Sequence, residues 1–172
     1  KGNHFFYQII SPFEPKETLL AVRALVPDVA IIHLQRADKH GNAHCWGNFG
    51  VMLEGARAAK RVIVCAKEIV SEEEIASDSN RTVIPGFLVS AVVECPLGAH
   101  PSPVQGYYKR DDAFFQQYHA GTKTQADFAT WSGKWITGVA DRAAYVEQLG
   151  KSRVEELGVK QHAYAMKTDY GY

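Results

Sequence analysis

Apolar and polar positions follow one rhythm over the first hundred residues and another after them. In the first part, short apolar runs alternate with turn residues and short helical stretches. The run Val29-Ala30-Ile31-Ile32-His33-Leu34 is almost continuously apolar, as a strand buried on both faces requires. Pro27-Asp28 introduces it, and Lys39-His40-Gly41-Asn42 supplies turn chemistry beyond it. Residues 52–60 (MLEGARAAK) are good helix formers, and residues 61–66 (RVIVCA) return to the β-branched residues of a second strand. Ser71 followed by Glu72-Glu73-Glu74 predicts a helix start. Ser71 can cap the free amides, Glu74 stands at capping-box spacing, and the carboxylates favour the positive end of the helix. Asp78-Ser79-Asn80 ends that helix, and Val83-Ile84-Pro85-Gly86 leads into a third strand over 89–93.

This alternation predicts an α/β fold, a parallel sheet with flanking helices in three layers. Residues 96–103 (PLGAHPSP) are too rich in Pro and Gly for regular structure and read as a loop at the far end of a buried strand. From Asp112 onward, aromatic and apolar residues recur at helical spacing through AFFQQYHAGTKTQADFATWSGKWI and DRAAYVEQLGKSRVEELG. A helical C-terminal part follows, lying over the sheet or against a neighbour. The tail HAYAMKTDYGY carries no clear pattern.

Composition narrows the function classes. A chain of 172 residues fits one domain that buries roughly 70% of its unfolded surface. With 46% hydrophobic and 22% charged residues, disorder, collagen and coiled coil are excluded. Nineteen basic and 19 acidic residues cancel, leaving no electrostatic footprint for nucleic acid or an anionic membrane. No apolar run approaches the ~20 residues of a membrane span, and the start KGNHFFYQ lacks the pattern of a signal peptide. Cys45, Cys65 and Cys95 are odd in number and widely spaced, the last two inside apolar runs. They point to a reducing, cytoplasmic environment without a disulfide frame.

Two segments carry candidate binding chemistry. Gln35-Arg36-Ala37-Asp38 directly follows the first buried strand, and open parallel sheets bind ligands at the carboxyl ends of their strands. The plainer reading is an Arg36–Asp38 ion pair that fixes the turn. His100, in GAHPSPVQG, could donate to a carboxylate, phosphate or thioester oxygen, in a loop stiffened by proline; equally, it could be satisfied by backbone groups. His40, His44 and Cys45 have zinc-ligand chemistry, but no second ligand pair follows at finger spacing, and no metal is expected. Cys45 and Glu54 are the nucleophile candidates, each with an inert alternative, a buried thiol and a solvated helical carboxylate. No GxSxG elbow, GxxxxGK[ST] loop or GxGxxG fingerprint is present, which argues against a serine-hydrolase triad, a P-loop NTPase and the usual dinucleotide folds.

The segments PDVAIIHLQRADKHGNAHCWG, EGARAAKRVIVCAKEIVSEEEI and RTVIPGFLVSAVVECPLGAHPSPVQGYYKRDDAFFQQY together resemble the A subunit of glutaconate-type CoA-transferases, within the family I CoA-transferases. The resemblance covers most of residues 27–118 and continues weakly around VADRAAYVEQLG. It implies a three-layered parallel α/β fold and an enzyme of A and B subunits. Such an enzyme moves CoA from an acyl-CoA to a carboxylic acid through a glutamyl-CoA thioester, and the glutamate belongs to the B subunit. No catalytic residue is therefore expected here, and Gln35, Arg36, Asp38, His100 and Ser102 are expected to bind substrate. The CoA thioester is a substrate, with no permanently bound cofactor. The A subunits of this family are longer and begin with a glycine-rich part that has no counterpart here. Residues 1–172 are therefore expected to form a single α/β domain, the later portion of such a chain. The scaffold is shared by a ring-opening hydrolase of CoA thioesters, and a non-catalytic scaffold subunit is a third reading. Release of free CoA rather than a new acyl-CoA would mark the hydrolase.

Overall fold

The computed structural model describes residues 5–159; the tail segment without a clear pattern lies outside them. The chain opens with an antiparallel hairpin of β1 (Phe6–Ile10) and β2 (Thr18–Val22), registered from Phe6 opposite Val22 to Ile10 opposite Thr18. Ser11 sets its loop, its hydroxyl accepting from the Phe13 and Glu14 amides. A five-stranded sheet follows, built from β3 (Ala30–Ala37), β4 (Ala43–His44), β5 (Val62–Ile69), β6 (Thr82–Ile84) and β7 (Val89–Glu94), in the order β6-β4-β3-β5-β7. The helices are α1 (Met52–Ala58), α2 (Glu72–Ala76), α3 (Asp112–Gly121), α4 (Gln125–Ser132), α5 (Arg142–Leu149) and α6 (Lys151–Leu157).

The three strands read from the apolar runs form the parallel centre, β3 beside β5 beside β7. On the other side of β3 the sheet is mixed: β4 runs antiparallel to β3, and β6 pairs antiparallel with β4 and so runs in the same direction as β3. Two- and three-residue strands leave no periodicity in the sequence, which is why the pattern showed only the centre. One face of that centre is a core: Ile32, Leu34, Val62, Val64 and Ala66 are buried against Ala56 of α1, with Phe49, Met52 and Leu53 packed beside them. Each fully buried Leu, Ile or Val there contributes about 1.5–3 kcal/mol. The opposite face is less covered, with His33 half-buried beneath the Cys95–Gly98 segment and Ile31 bare. Ile31, Ile63 and Ala91 lie in register across the strands, as do His33, Cys65 and Val93, and Ile31 is 71% exposed. The expectation that β3 is buried on both faces therefore holds for one face among the described residues.

The turn after β3 forms as its residues require. The Asp38 carboxylate, 1% exposed, accepts from the His40 amide at 2.8 Å, the Asn42 amide at 3.0 Å and the Asn42 side chain at 2.8 Å. Gly41 turns at φ +88°, and a Cβ there would sit 2.7 Å from that of Val89. Ser71 caps α2 by accepting from the Glu74 amide, while the Glu74 carboxylate leaves the helix to reach Arg36. A complete capping box forms instead between Thr124 and Asp127 at the start of α4. The C-terminal helices do not lie over the sheet core. Val146 and Leu149 of α5 and Val154 and Leu157 of α6 pack against Leu97, Val104, Tyr107 and Tyr108 of the Pro/Gly-rich loop and its continuation.

Candidate functional site

Where β3 ends, its last side chains meet two returning segments of chain. The Gln35 amide nitrogen donates to the Trp46 carbonyl at 2.9 Å and more weakly to the Gln105 carbonyl at 3.4 Å, and its oxygen faces the Trp46 amide at 3.4 Å. One buried side chain thus ties the strand to the segment after β4 and to the loop beyond Pro103. Between these three pieces lies a cavity of about 300 Å³, lined by His33, Gln35, Trp46, Asn48, Val104 and Gln105 among others. It opens at the carboxyl end of β3, the edge where parallel sheets hold ligands.

Arg36 organises the neighbouring surface. Its Nε donates to Glu68 at 2.6 Å and to the Tyr107 hydroxyl at 2.8 Å, and Nη1 donates to Glu74 at 2.7 Å. The Tyr107 hydroxyl in turn donates to Glu68. Burial pushes the Tyr107 phenol far up, reinforced by the Glu68 carboxylate, so it stays protonated. The Trp46 ring stands 6.2 Å from that of Tyr107 and is flanked by the guanidinium groups of Arg36, at 5.9 Å, and Arg81, at 5.2 Å. The two aromatic rings are held by cation–π and ion-pair contacts rather than by packing alone.

His100 is buried, with both ring nitrogens engaged. Nε2 lies 3.0 Å from Asp111 and Nδ1 lies 2.7 Å from the Tyr145 hydroxyl. Asp111 caps α3 through the Phe114 amide and is paired by Arg153 of α6. Burial raises the Asp111 carboxyl, but the bonds from Arg153, His100 and the Phe114 amide outweigh it and hold the group well below the usual carboxylate range. Burial lowers the His100 imidazole more than Asp111 raises it. The backbone on either side is fastened too, with the Ala99 amide on the Tyr108 hydroxyl and Arg142 of α5 on the Pro96 and Leu97 carbonyls.

The five residues singled out in the sequence therefore take different stations. Gln35 lines the cavity. Arg36 braces its aromatic wall, Asp38 fixes the turn behind it, and His100 anchors the loop whose continuation, Pro103 to Gln105, forms the cavity's far side. Ser102 is exposed, two residues beyond His100. Trp46, Glu68, Gln105 and Tyr107 escaped notice, because their contacts span up to 71 positions of sequence and leave no local signal. Of the other candidates, His40 pairs with Glu72, His44 reaches the Ile75 carbonyl, and Glu54 is exposed on α1. Burial pushes the Cys45 thiol up to about 11, which leaves it protonated and a poor nucleophile. Among the described residues no group of three or more His, Cys, Asp or Glu side chains could hold a metal ion, and no helix is long and apolar enough to cross a membrane.

Residues 16–95 match the coenzyme A transferase family. Over 154 residues, 90% of this chain, the sequence is 41% identical to the A subunit of glutaconate CoA-transferase from Acidaminococcus fermentans, spanning 48% of that protein. The chain belongs to the coenzyme A transferase family. It is also 38% identical, over 80% of its length and 48% of the relative's, to the A subunit of 3-oxoadipate CoA-transferase from Pseudomonas knackmussii. The fold superposes on the crystal structure of glutaconate coenzyme A-transferase from Acidaminococcus fermentans with a TM-score of 0.87 and 39% identity, covering 94% of this chain and 51% of that one.

This coenzyme A transferase chain thus spans about half the length of these relatives. The family match ends at Cys95, at the mouth of the Pro/Gly-rich loop. The loop itself is held in place by α3, α5 and α6, through Asp111, Arg142, Tyr145 and Arg153. What this arrangement can do chemically is enclose a small polar group at a strand edge, with carbonyl and amide functions on one side and rigid aromatic rings on the other. Neither Cys45 nor Glu54 supplies an activated nucleophile to it.

Proposed function

We propose that the chain is the later part of the A subunit of a two-subunit CoA-transferase, which moves CoA between an acyl-CoA and a carboxylic acid. The observation that carries this reading is the similarity, across nine-tenths of the chain, to A subunits of enzymes that bear that name. The covalent glutamyl-CoA thioester forms on a glutamate of the B subunit, and this chain supplies one wall of the cleft. Exclusion of water is the physical need there, since water would hydrolyse the thioester intermediate. Gln35 meets the substrate in the strand-end cavity, and Ser102 approaches it from the rim. Arg36, Asp38 and His100 hold the walls so that polar groups point at the reacting thioester. The free thiols of Cys45, Cys65 and Cys95 suit a reducing cytoplasm.

The complete A subunit, produced together with its B partner and given an acyl-CoA and a carboxylic acid, tests the reading. Mass spectrometry should show a new acyl-CoA matching the added acid. Free CoA as the sole product would overturn transfer in favour of thioester hydrolysis. Full turnover by the B subunit on its own would reduce this chain to a scaffold.

A further inference from the structure

The strand-end cavity carries hydrogen-bond donors that the bonds within its walls leave unused. Gln35 is not among them. Its amide nitrogen already donates to the Trp46 and Gln105 carbonyls, and its oxygen faces the Trp46 amide. Two further carboxamides line the cavity, those of Asn48 and Gln105, both exposed at its mouth. Asn48 Oδ1 accepts from the Gly50 amide at 2.9 Å. That bond fixes which end of the group is oxygen, and it leaves Nδ2 with both hydrogens to donate. The Gln105 side chain lies over Gly47, where a Cβ would run into its Oε1; Gly47, at φ +93°, has no side chain to displace it. The Gln105 carboxamide makes no hydrogen bond to another described residue.

The lining is also neutral. Among the described residues around the cavity there is no Lys, Arg, Asp or Glu. Burial lowers the His33 imidazole and raises the Cys45 thiol, so both are uncharged near neutral pH. Arg36, beside the Trp46 ring, is balanced by Glu68 and Glu74. A carboxylate drawn into such a space gives up its water with no cation to replace it. An uncharged carbonyl oxygen gives up far less, and two amide N–H groups satisfy its two lone pairs. Leu34, Met52 and Val104 add apolar wall, the make-up of a site that orients its ligand by a few polar groups.

We propose that Nδ2 of Asn48 and Nε2 of Gln105 bind an uncharged carbonyl oxygen of the acyl-CoA, either that of the thioester or that of an amide in the pantetheine arm. The assignment rests on the CoA-transferase reading above and adds two binding residues to it. The carboxylate of the free acid is then met outside this cavity.

The test uses the complete A–B complex and two unreactive ligands. S-(2-oxopropyl)-CoA keeps a carbonyl one carbon beyond the sulfur, and S-propyl-CoA lacks it. Asn48→Asp retains the oxygen that bonds Gly50 and replaces the donor by an anion. Gln105→Met retains the length of the side chain and removes its donor. Dissociation constants come from isothermal titration calorimetry. Gln105→Met should weaken S-(2-oxopropyl)-CoA about tenfold, the scale of one neutral hydrogen bond. Asn48→Asp should weaken it more, because a negative charge then faces the oxygen. If Gln105→Met leaves S-propyl-CoA unaffected, the oxygen is the acyl carbonyl; equal weakening of both ligands identifies a pantetheine amide. Unchanged affinity for both ligands in either variant overturns the proposal. Should a lower urea midpoint show that Asn48→Asp unsettles its loop, Gln105→Met alone decides. An unmodified complex that binds neither ligand overturns the CoA-transferase reading and the proposal together, whereas binding that ignores both substitutions removes only the proposal.

Discussion

Arg36 donates to oxygens on three separate segments, Glu68 of β5, Glu74 of α2 and Tyr107 of the loop. Its replacement therefore disturbs position more than net charge. Arg36→Ala leaves Glu68 and Glu74 without their shared cation and removes one of the bonds that hold Tyr107 beside Trp46. A fall in kcat/KM on the order of a hundredfold is expected in the A–B complex, the scale of a ~1 Å misplacement of the groups that position substrate. Lysine cannot reproduce the three-way fork, so Arg36→Lys should recover little of it. Steady-state transfer assays of both variants check this, and full activity of the lysine variant would contradict it. Asp111 makes the complementary case. Removing one partner of a buried pair costs about 3–5 kcal/mol, so Asp111→Ala, which strands His100 and Arg153, should lower the urea midpoint far more than Ser102→Ala at an exposed site. The sequence made Gln35, Arg36 and Asp38 legible because they sit at the end of a recognisable strand. It could not show that Asp38 bonds backbone amides while Arg36 turns elsewhere, since type and spacing allow both.

At the scale of elements, long apolar runs were readable and short strands were not. The strand runs at 29–34, 61–66 and 89–93 became β3, β5 and β7 with ends shifted by at most three residues, because a strand of six to eight residues writes its own burial into the sequence. β4 and β6 exist through pairing alone, Ala43 with both Ala37 and Ile84. The turn joining β3 to β4 carries a testable consequence. Gly41 sits at φ +88° with no room for a Cβ against Val89, and both strain and clash oppose a side chain there. Gly41→Ala should cost more than the ~1 kcal/mol that a strain-free Gly→Ala replacement gains, and should loosen β7 as well as the turn. Ser71→Ala, which removes the cap from α2, should cost about 1 kcal/mol and leave the sheet intact. Chemical unfolding with hydrogen exchange resolved by segment separates the two. Equal, purely local effects would show that Gly41 is not wedged against the sheet.

Over the whole molecule, three histidines and Asp111 among the described residues are shifted in the same direction, downward. Burial lowers the imidazoles of His33, His44 and His100, against the weaker pull of a backbone carbonyl in the first two and of Asp111 in the third. Each folded-state pKa is therefore below the unfolded value of about 6.5. Below that pH the unfolded chain binds protons that the folded chain refuses, and stability is lost as pH falls. Each proton so taken up on unfolding contributes a slope of about 1.4 kcal/mol per pH unit. Asp111 adds to the same trend lower down. Its folded value is depressed by Arg153, His100 and the Phe114 amide, so its contribution stands above the unfolded carboxylate value of about 3.9 and disappears as pH falls through the acid range. Stability of the complete subunit should thus be level near pH 8 and decline from about 6.5 downward, before the carboxylates titrate. Urea midpoints taken across that range check the claim. A profile flat down to about pH 4.5 would mean that the three histidines are charged or solvated in the fold. A decline that Tyr145→Phe steepens would place the hydroxyl beside His100 as the group that accepts from its imidazolium, since removing that acceptor lowers the folded value further.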